Sequence, residues 1–201
     1  MFPDLLRDDV FRLETPRLWL RWPRAADAAA IVRLGGDPQV AEMTASVPHP
    51  YRMEDAAKWI FASRAGNAQG SSLSLVLAPK RRPAEAIGAI GLHRWREGAA
   101  LLGFWLGRPH QGQGLMTEAA EALVGLAFAV GEVDEIHAQA RVENTASRRV
   151  LEKSGFAYQG RGPIQLPARG GIFMCDRFRR ERTERIADTA PEMARPALVA
   201  G

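Results

Sequence analysis

The chain contains 201 residues, of which 46% are hydrophobic and 25% charged, and carries a formal net charge of +4 with a pI near 9.8. This length suits one domain with a full core, and the basic residues are spread too evenly for a nucleic-acid-binding stripe. The single cysteine, Cys175, excludes an internal disulfide and is predicted to be a small buried hydrophobic residue. With no signal-like N-terminus and no run of 18 apolar residues, we expect a cytoplasmic protein without a membrane segment.

The first half of the chain predicts an antiparallel meander preceded by helices. Alternation of apolar and basic residues is typical of a half-buried strand, and apolar residues at helical spacing indicate amphipathic helices. A basic turn bounded by prolines separates two short apolar runs, which predicts a hairpin. In chain order we predict a strand at Arg17–Trp22, helices at Asp27–Leu34 and Met53–Ser63, and strands at Ser72–Leu77, Ala86–His93 and Leu101–Leu106.

The second half alternates helices with strands, so the complete sheet should be mixed. The predicted elements are a helix at 117–129, a strand at Glu135–Arg141, a helix at Thr145–Ser154, and strands at Phe156–Gly160 and Ile172–Arg179. Residues 1–179 then form one domain. Residues 180–201 are charged and proline-bearing without hydrophobic periodicity, and we expect a mobile tail.

Residues 110–118 form a glycine-bearing loop between the strand Leu101–Leu106 and an apolar helix. Gly112 and Gly114 let the backbone approach a ligand, and the first N–H groups of the helix have no partner inside it. Such a loop suits a pyrophosphate, although an ordinary tight turn would have the same appearance. A Walker loop is excluded because no Lys-Ser or Lys-Thr follows, and a dinucleotide fingerprint would need glycine in place of Thr117.

A second motif lies about 30 residues downstream, where Asn144, Ser147 and Leu151 precede Glu-Lys-Ser-Gly-Phe. Together the two motifs resemble the GNAT acyltransferases, in which the glycine loop binds the pyrophosphate of acetyl-coenzyme A. Met116 replaces the usual small residue of that loop and is similar to the RimJ/RimL branch, which acetylates amino termini of ribosomal proteins. The segment from Leu13 to Arg21 resembles the first strand of that branch, so the resemblance covers about residues 11–179.

The resemblance implies an α/β (α+β) GNAT fold, with a mixed, mostly antiparallel sheet of about seven strands and about four flanking helices. The strands 101–106 and Glu135–Arg141 should splay apart and receive the pantetheine arm of the cofactor by strand addition. Asn144 would bond that arm, although asparagine is also among the best helix N-caps. The implied cofactor-binding residues are Phe104, Leu106, Gln111, Gly112, Gln113, Gly114, Leu115, Met116, Thr117, Asn144 and Ser147.

Two residues are predicted to carry the chemistry. Many relatives have a tyrosine that protonates the departing thiolate where this chain has Leu151, so Ser147 is the remaining hydroxyl donor on that helix. The alternative is that Ser147 bonds only to its own helix backbone. The family's carboxylate before Gly103 is also missing, and His93 is the candidate base, with Glu97 as runner-up and a structural role as the alternative.

These features predict transfer of an acetyl group from acetyl-CoA to a primary amine, foremost a protein or peptide N-terminal α-amine. A small-molecule amine and a non-catalytic acyl-CoA-binding module are the alternatives, and neither a metal site nor a nucleic-acid partner is expected. The oligomeric state stays open, with a homodimer as one option. We expect the acceptor near Asp37–Tyr51, Glu54–Ser63 and Arg161–Gly171, where Glu42, Glu54 and Asp55 either attract a cationic amine or serve as solvated and capping residues.

Overall fold

The computed structural model describes residues 1–3 and 9–182, which contain eight strands and five helices besides short 3-10 turns. The strands are β1 (Arg12–Glu14), β2 (Leu18–Arg21), β3 (Ser72–Pro79), β4 (Gly88–Arg96), β5 (Ala99–Leu106), β6 (Glu135–Arg141), β7 (Ala157–Leu166) and β8 (Gly171–Glu181). The helices are α1 (Ala28–Gly35), α2 (Pro38–Ala41), α3 (Met53–Gln69), α4 (Leu115–Val130) and α5 (Thr145–Lys153).

All eight strands form one sheet in the order β1-β2-β3-β4-β5-β6-β8-β7. Every neighbouring pair is antiparallel except β5–β6, which is parallel. The β5–β6 ladder runs only from Ala99 opposite Glu135 to Leu102 opposite Ala138. Beyond that rung β5 continues to Leu106 and β6 to Arg141 without pairing, so the two strands leave a gap between them. The predicted mixed sheet with a splayed strand pair is confirmed.

The two faces of this sheet differ. Alternate residues such as Leu75, Ile90, Leu102 and Ala138 join the main core with α4 and with Leu151 of α5; we name this side the α4 face. The residues between them point to the opposite side, where α1 and α3 pack over β3 to β5 around a smaller cluster. We name that side the α3 face. Over β6 and β8 the α3 face carries mainly polar residues, which leaves an open floor beside the gap.

The structure contains two elements that the sequence pattern did not predict, β1 and α2. They are three and four residues long, too short for a hydrophobic period to show. Two other elements run further than predicted. Helix α3 continues past Ser63 to a left-handed Gly70, and β7 passes through a bulge at Gly160 instead of ending there.

The end of the folded part also lies later than the predicted boundary at residue 179. Strand β8 extends through Arg180 and Glu181, and the Arg182 guanidinium donates hydrogen bonds to the carbonyl groups of Gly131 and Val133. These three residues therefore pack with the domain. Residues 183–201 of the predicted tail lie outside the described residues.

Candidate active site

A cavity of about 470 Å³ lies where α4 and α5 begin, beside the unpaired end of β5. It is lined by Phe104 and Leu106 from the α4 face and by Trp105, which packs on the α3 face. The cavity therefore reaches both faces of the sheet at the gap. Most residues predicted to bind the cofactor line it, namely Phe104, Leu106, Gln111, Gly112, Gly114, Leu115, Met116, Thr117, Asn144 and Ser147.

The loop before α4 has the backbone that its glycines predicted. Gly112 and Gly114 adopt φ angles of 76° and 75°, in the left-handed region that side chains rarely occupy. Gly114 is the N-cap of the 16-residue helix and has no side chain to accept hydrogen bonds from the first turn. No described atom lies within 4 Å of the position that a Cβ on Gly112 would take. The N-terminus of α4 thus presents uncapped N–H groups to open space, as an anion site requires.

The two glutamines of the loop have their side chains occupied by the loop itself. The Gln111 amide nitrogen donates to the carbonyl oxygen of Leu106 at 2.7 Å, which fixes the loop to the end of β5. Gln113 donates to Pro109 at 3.3 Å and does not line the cavity. The side-chain amides of both residues therefore help to hold the loop in its conformation.

Helix α5 brings Asn144 and Ser147 to the cavity wall. The Asn144 side-chain oxygen accepts a hydrogen bond from the Ser147 backbone N–H at 3.0 Å, so the capping role is present. Among the described residues none accepts a hydrogen bond from the Ser147 hydroxyl, which therefore does not bond back to its helix. Leu151 is fully buried in the main core, so the position of the family's tyrosine is a packing position here.

His93 lies on the α3 face, opposite the side that holds Ser147. Its Nε2 would be 3.3 Å from a Cβ built on Gly91, so the ring leans along β4 towards the row formed by Gly91 and Gly103. Although the ring is partly exposed, the surrounding protein lowers the pKa of His93 by desolvating its charged form. The imidazole is therefore neutral near pH 7 and able to accept a proton.

Three other residues with titratable side chains are less suitable than His93 as proton acceptors. Glu97 lies in the turn after β4, where it lines a separate surface cavity with Arg94 and Arg96. Burial, followed by the charge of Asp55, raises the pKa of Tyr51 to about 12, so this phenol stays protonated. Cys175 is buried as predicted, and burial raises the pKa of its thiol. Along residues 1–3 and 9–182 no group of histidine, cysteine and acidic residues could hold a metal ion.

The segment Asp37–Tyr51 contributes to the cavity through α2 and the turn after it, where Met43 and Thr44 line the wall. Of the carboxylates expected to attract an amine, Asp55 serves in capping, because it accepts a hydrogen bond from the backbone N–H of Arg52 before α3. Asp37 likewise caps α2 by accepting from the N–H of Gln39. The 161–171 segment supports this wall, because the Ala168 N–H donates to the Ala45 carbonyl at 3.0 Å.

The structure also adds residues that sequence reasoning missed. Arg149 and Lys153 are one turn apart on α5, and both line the cavity. Their i, i+4 spacing on the helix that follows Asn144 indicates in the sequence that both side chains lie on one face of that helix. Thr15 and Arg17, from the turn between β1 and β2, bond to Glu118 on α4. Local spacing gives no signal for this contact, because the partners are about 100 residues apart.

Comparison with known proteins agrees with this geometry. The profile of the acetyltransferase (GNAT) domain family matches residues 17–157. The probable N-acetyltransferase YjcK of Bacillus subtilis (strain 168) is 39% identical over 77 residues, 37% of this chain and 42% of that protein. The ribosomal-protein-serine acetyltransferase of Escherichia coli (strain K12) is 35% identical over 78 residues, 38% and 44% of the two chains. These two matches thus span less than half the length of either relative.

Solved structures share the fold across nearly the whole domain. A structure of RimL, the ribosomal L7/L12 alpha-N-protein acetyltransferase in complex with coenzyme A, superposes with a TM-score of 0.74 at 19% identity. The match covers 85% of this chain and 98% of that one. In the part of the chain that the structure describes, no helix is long and apolar enough to cross a membrane. With the family profile matching most of the folded chain around a glycine loop and a splayed strand pair, the chain belongs to the GNAT acetyltransferase family.

Proposed function

We propose that this protein transfers the acetyl group of acetyl-coenzyme A directly to a primary amine, and that the acceptor is a protein or peptide N-terminus. The observation that carries the proposal is the cavity at the gap between β5 and β6, which reaches both faces of the sheet. Acetyl-coenzyme A bound on the α4 face and an amine bound on the α3 face can meet only where the sheet is open.

The residues of the cavity fit coenzyme A. The uncapped start of α4 and the empty space over Gly112 suit the pyrophosphate. The unpaired side of β5 from Gly103 to Leu106 offers backbone groups for the amides of the pantetheine arm. Arg149 and Lys153 place two positive charges on the same wall, where the phosphates of the nucleotide end would be neutralised. When bound, acetyl-coenzyme A supplies the activated thioester.

Ser147 and His93 take complementary roles in this proposal. The Ser147 hydroxyl lines the cavity without a described acceptor, so it can donate a hydrogen bond to the departing sulfur. A thiol has an ordinary pKa of about 8.5, so release near neutral pH needs a donor but not a strong acid. On the other face, the neutral His93 ring accepts the proton that the amine loses, either directly or through a water.

The chemistry of the base supports an α-amine acceptor. An α-amino group has an ordinary pKa of about 7.7 to 8.0, whereas that of a lysine side chain is about 10.4. A neutral imidazole is a sufficient base for the former, and leucines occupy the two positions before Gly103, so no carboxylate there would help the latter. The Escherichia coli relative and the RimL structure are both named as acetyltransferases of ribosomal proteins, and this supports a protein N-terminus as the acceptor.

Two measurements test the proposal in sequence. Isothermal titration of the purified protein with acetyl-coenzyme A should show binding in the micromolar range or tighter. Release of thiol should then be followed with short peptides that carry a free N-terminus, with the same peptides blocked at the N-terminus but containing lysine, and with polyamines. We expect turnover with the first set alone. Turnover restricted to polyamines or other small amines would assign a small-molecule acceptor, and no cofactor binding would refute the enzyme itself.

A further inference from the structure

The turn between β1 and β2 is bonded to the start of α4. Glu118, in the first turn of that helix, accepts three hydrogen bonds from this turn: from the Thr15 hydroxyl at 2.6 Å, the Arg17 backbone N–H at 2.8 Å and the Arg17 Nε at 2.6 Å. The Arg17 Nη1 donates a fourth bond, at 2.8 Å, to the carbonyl oxygen of Gln113 in the glycine loop. One arginine thus holds both the helix and the loop that precedes it.

Glu118 places a negative charge beside a site that is proposed to bind an anion, which is unusual. A negative charge in the first turn of a helix uses the same positive potential that would attract a phosphate. Partial burial by itself raises the pKa of Glu118, but the hydrogen bonds from Thr15 and Arg17 and the charge of Arg17 outweigh this and lower it overall. The carboxylate therefore stays ionised at neutral pH, and Arg17 has to balance its charge.

The remaining nitrogen of Arg17 lies at the edge of the loop. Its Nη2 would be 3.6 Å from a Cβ built on Gly114, and half of the side chain is exposed. The guanidinium thus stands beside the uncapped N–H groups and keeps Gln113 and Gly114 in their conformation. Without Arg17, the loop would lose this support and face an unbalanced carboxylate.

We propose that Thr15, Arg17 and Glu118 form a positioning network that sets the affinity of the glycine loop for a pyrophosphate. This inference rests on the proposed function, because the pyrophosphate is that of coenzyme A. Arg17 holds the loop carbonyl of Gln113 and cancels the charge of Glu118. None of the three residues takes part in proton transfer, so the network acts on binding and not on the chemical step.

A double-mutant cycle tests this network with coenzyme A as the titrated ligand. Arg17→Ala should raise the dissociation constant about 10- to 100-fold, because it removes the contact with the loop and leaves the negative charge of Glu118 unbalanced. Glu118→Gln should weaken binding less than Arg17→Ala does, since it removes the negative charge together with only some of the hydrogen bonds that hold the turn between β1 and β2. The double variant should bind more tightly than Arg17→Ala alone. In the assay with acetyl-coenzyme A, Arg17→Ala should raise the KM for this cofactor and change kcat by less than about twofold.

Lys80→Ala is the matched control, since the Lys80 ammonium pairs with Glu14 of the β1–β2 hairpin and no described hydrogen bond or ion pair joins its side chain to the glycine loop. The Lys80 backbone N–H, which donates to the Arg17 carbonyl, is kept in this variant. Its dissociation constant should equal that of the wild type, and thermal unfolding should show that each variant is folded. Wild-type affinity in Arg17→Ala, or a double variant at least as weak as Arg17→Ala, would overturn the network. Failure of the wild type to bind coenzyme A would instead refute the proposed function, so the two outcomes can be told apart.

Discussion

At the scale of single residues, the candidate chemistry depends on the Ser147 hydroxyl, which lines the cavity, and on the His93 imidazole, which lies on the opposite face of the sheet and outside the cavity lining. Ser147 is presented by the start of α5, whose first turn is fixed by the Asn144 cap. His93 is presented by a central strand, where alternation places its side chain away from the main core. Neither residue needs the other for its position, so their contributions can be measured separately.

Replacement of Ser147 by alanine should lower kcat about 10²-fold and leave the dissociation constant for acetyl-coenzyme A nearly unchanged, because a hydrogen bond to the departing sulfur matters chiefly in the transition state. Ser147→Thr keeps the hydroxyl and should recover most of the rate. Thiol-release kinetics and calorimetry supply the two numbers. A fully active Ser147→Ala variant would remove this residue from the mechanism.

The proton-accepting role of His93 has a spectroscopic consequence. Desolvation lowers the pKa of His93, so its protonation should occur below the ordinary value of about 6.5 when followed by NMR. A base must be neutral to work, so activity should fall as the pH drops through that pKa, and His93→Gln should lose about 10²-fold in kcat/KM at neutral pH. A His93 pKa above 6.5 would contradict the desolvation on which the assignment rests.

At the scale of elements, the positions of α1 and α4 depend on particular polar and glycine residues as well as on apolar packing. Arg21 on β2 and Asp27 before α1 form a two-point ion pair with both distances at 2.8 Å, and each side chain is less than 5% exposed. Gly114 provides the left-handed residue that turns the loop into α4. These two devices hold the helices that border the α3 face and the cavity.

Asp27→Ala should lower the free energy of unfolding by about 3–5 kcal/mol, because it leaves the Arg21 guanidinium buried without its partner. Chemical denaturation is the measurement. The control is Glu85→Ala, which removes a partner of the more exposed Arg82 and should cost less than about 1 kcal/mol. Equal losses for the two variants would show that the buried pair is not a structural tie.

Gly114→Ala should weaken coenzyme A binding and lower stability, because alanine at a φ of 75° costs roughly 1 kcal/mol or more. Gly125 lies within the same helix with an ordinary φ, and no described atom lies within 4 Å of the position that its Cβ would take. Gly125→Ala should therefore stabilise the protein by about 0.5–1 kcal/mol and leave binding intact. Unchanged binding in Gly114→Ala would argue against an anion site at this loop.

At the scale of the whole molecule, the proposed function places the cofactor and the acceptor on opposite faces of the sheet, where the gap between β5 and β6 would let them meet. Phe104 and Leu106, which are predicted to bind the cofactor, belong to the α4 face, whereas His93 and the polar residues of β6 and β8 belong to the α3 face. Gly103 stands beside the gap on the α3 face, and nothing described lies within 4 Å of the position that its Cβ would take. Gly103 thus leaves open space on the α3 face of β5 where its pairing with β6 ends.

Gly103→Val should consequently interfere with the acceptor alone. Valine is well tolerated in strands, so the fold should persist, but its side chain would fill the space beside the gap. We expect a rise of at least tenfold in the KM for the peptide and an unchanged dissociation constant for coenzyme A. If cofactor binding fell and the peptide KM stayed constant, the assignment of the two faces would be reversed.

Most of the strands and helices and the glycine loop are predictable from the sequence, because both depend on local interactions. Hydrophobic periods of two and near four residues gave the long strands and helices, and Gly112 and Gly114 indicated a left-handed turn since only glycine adopts it readily. The Asn144 side chain is predicted to cap α5 or to bond the cofactor, because its amide can do either. The structure shows the cap. Elements of three or four residues, such as β1 and α2, carry too little pattern for this reasoning.

Contacts between residues that are distant in sequence become visible in the folded chain. Arg17 reaches Glu118 across 101 positions of sequence, and no local spacing encodes that contact. The assignment of Ser147 and His93 to opposite faces, the opening of β5 and β6 beyond Leu102 and the basic wall at Arg149 likewise depend on strand order and register. The physical reason is that periodicity fixes which side of an element is apolar, whereas packing of the complete sheet fixes what each side faces.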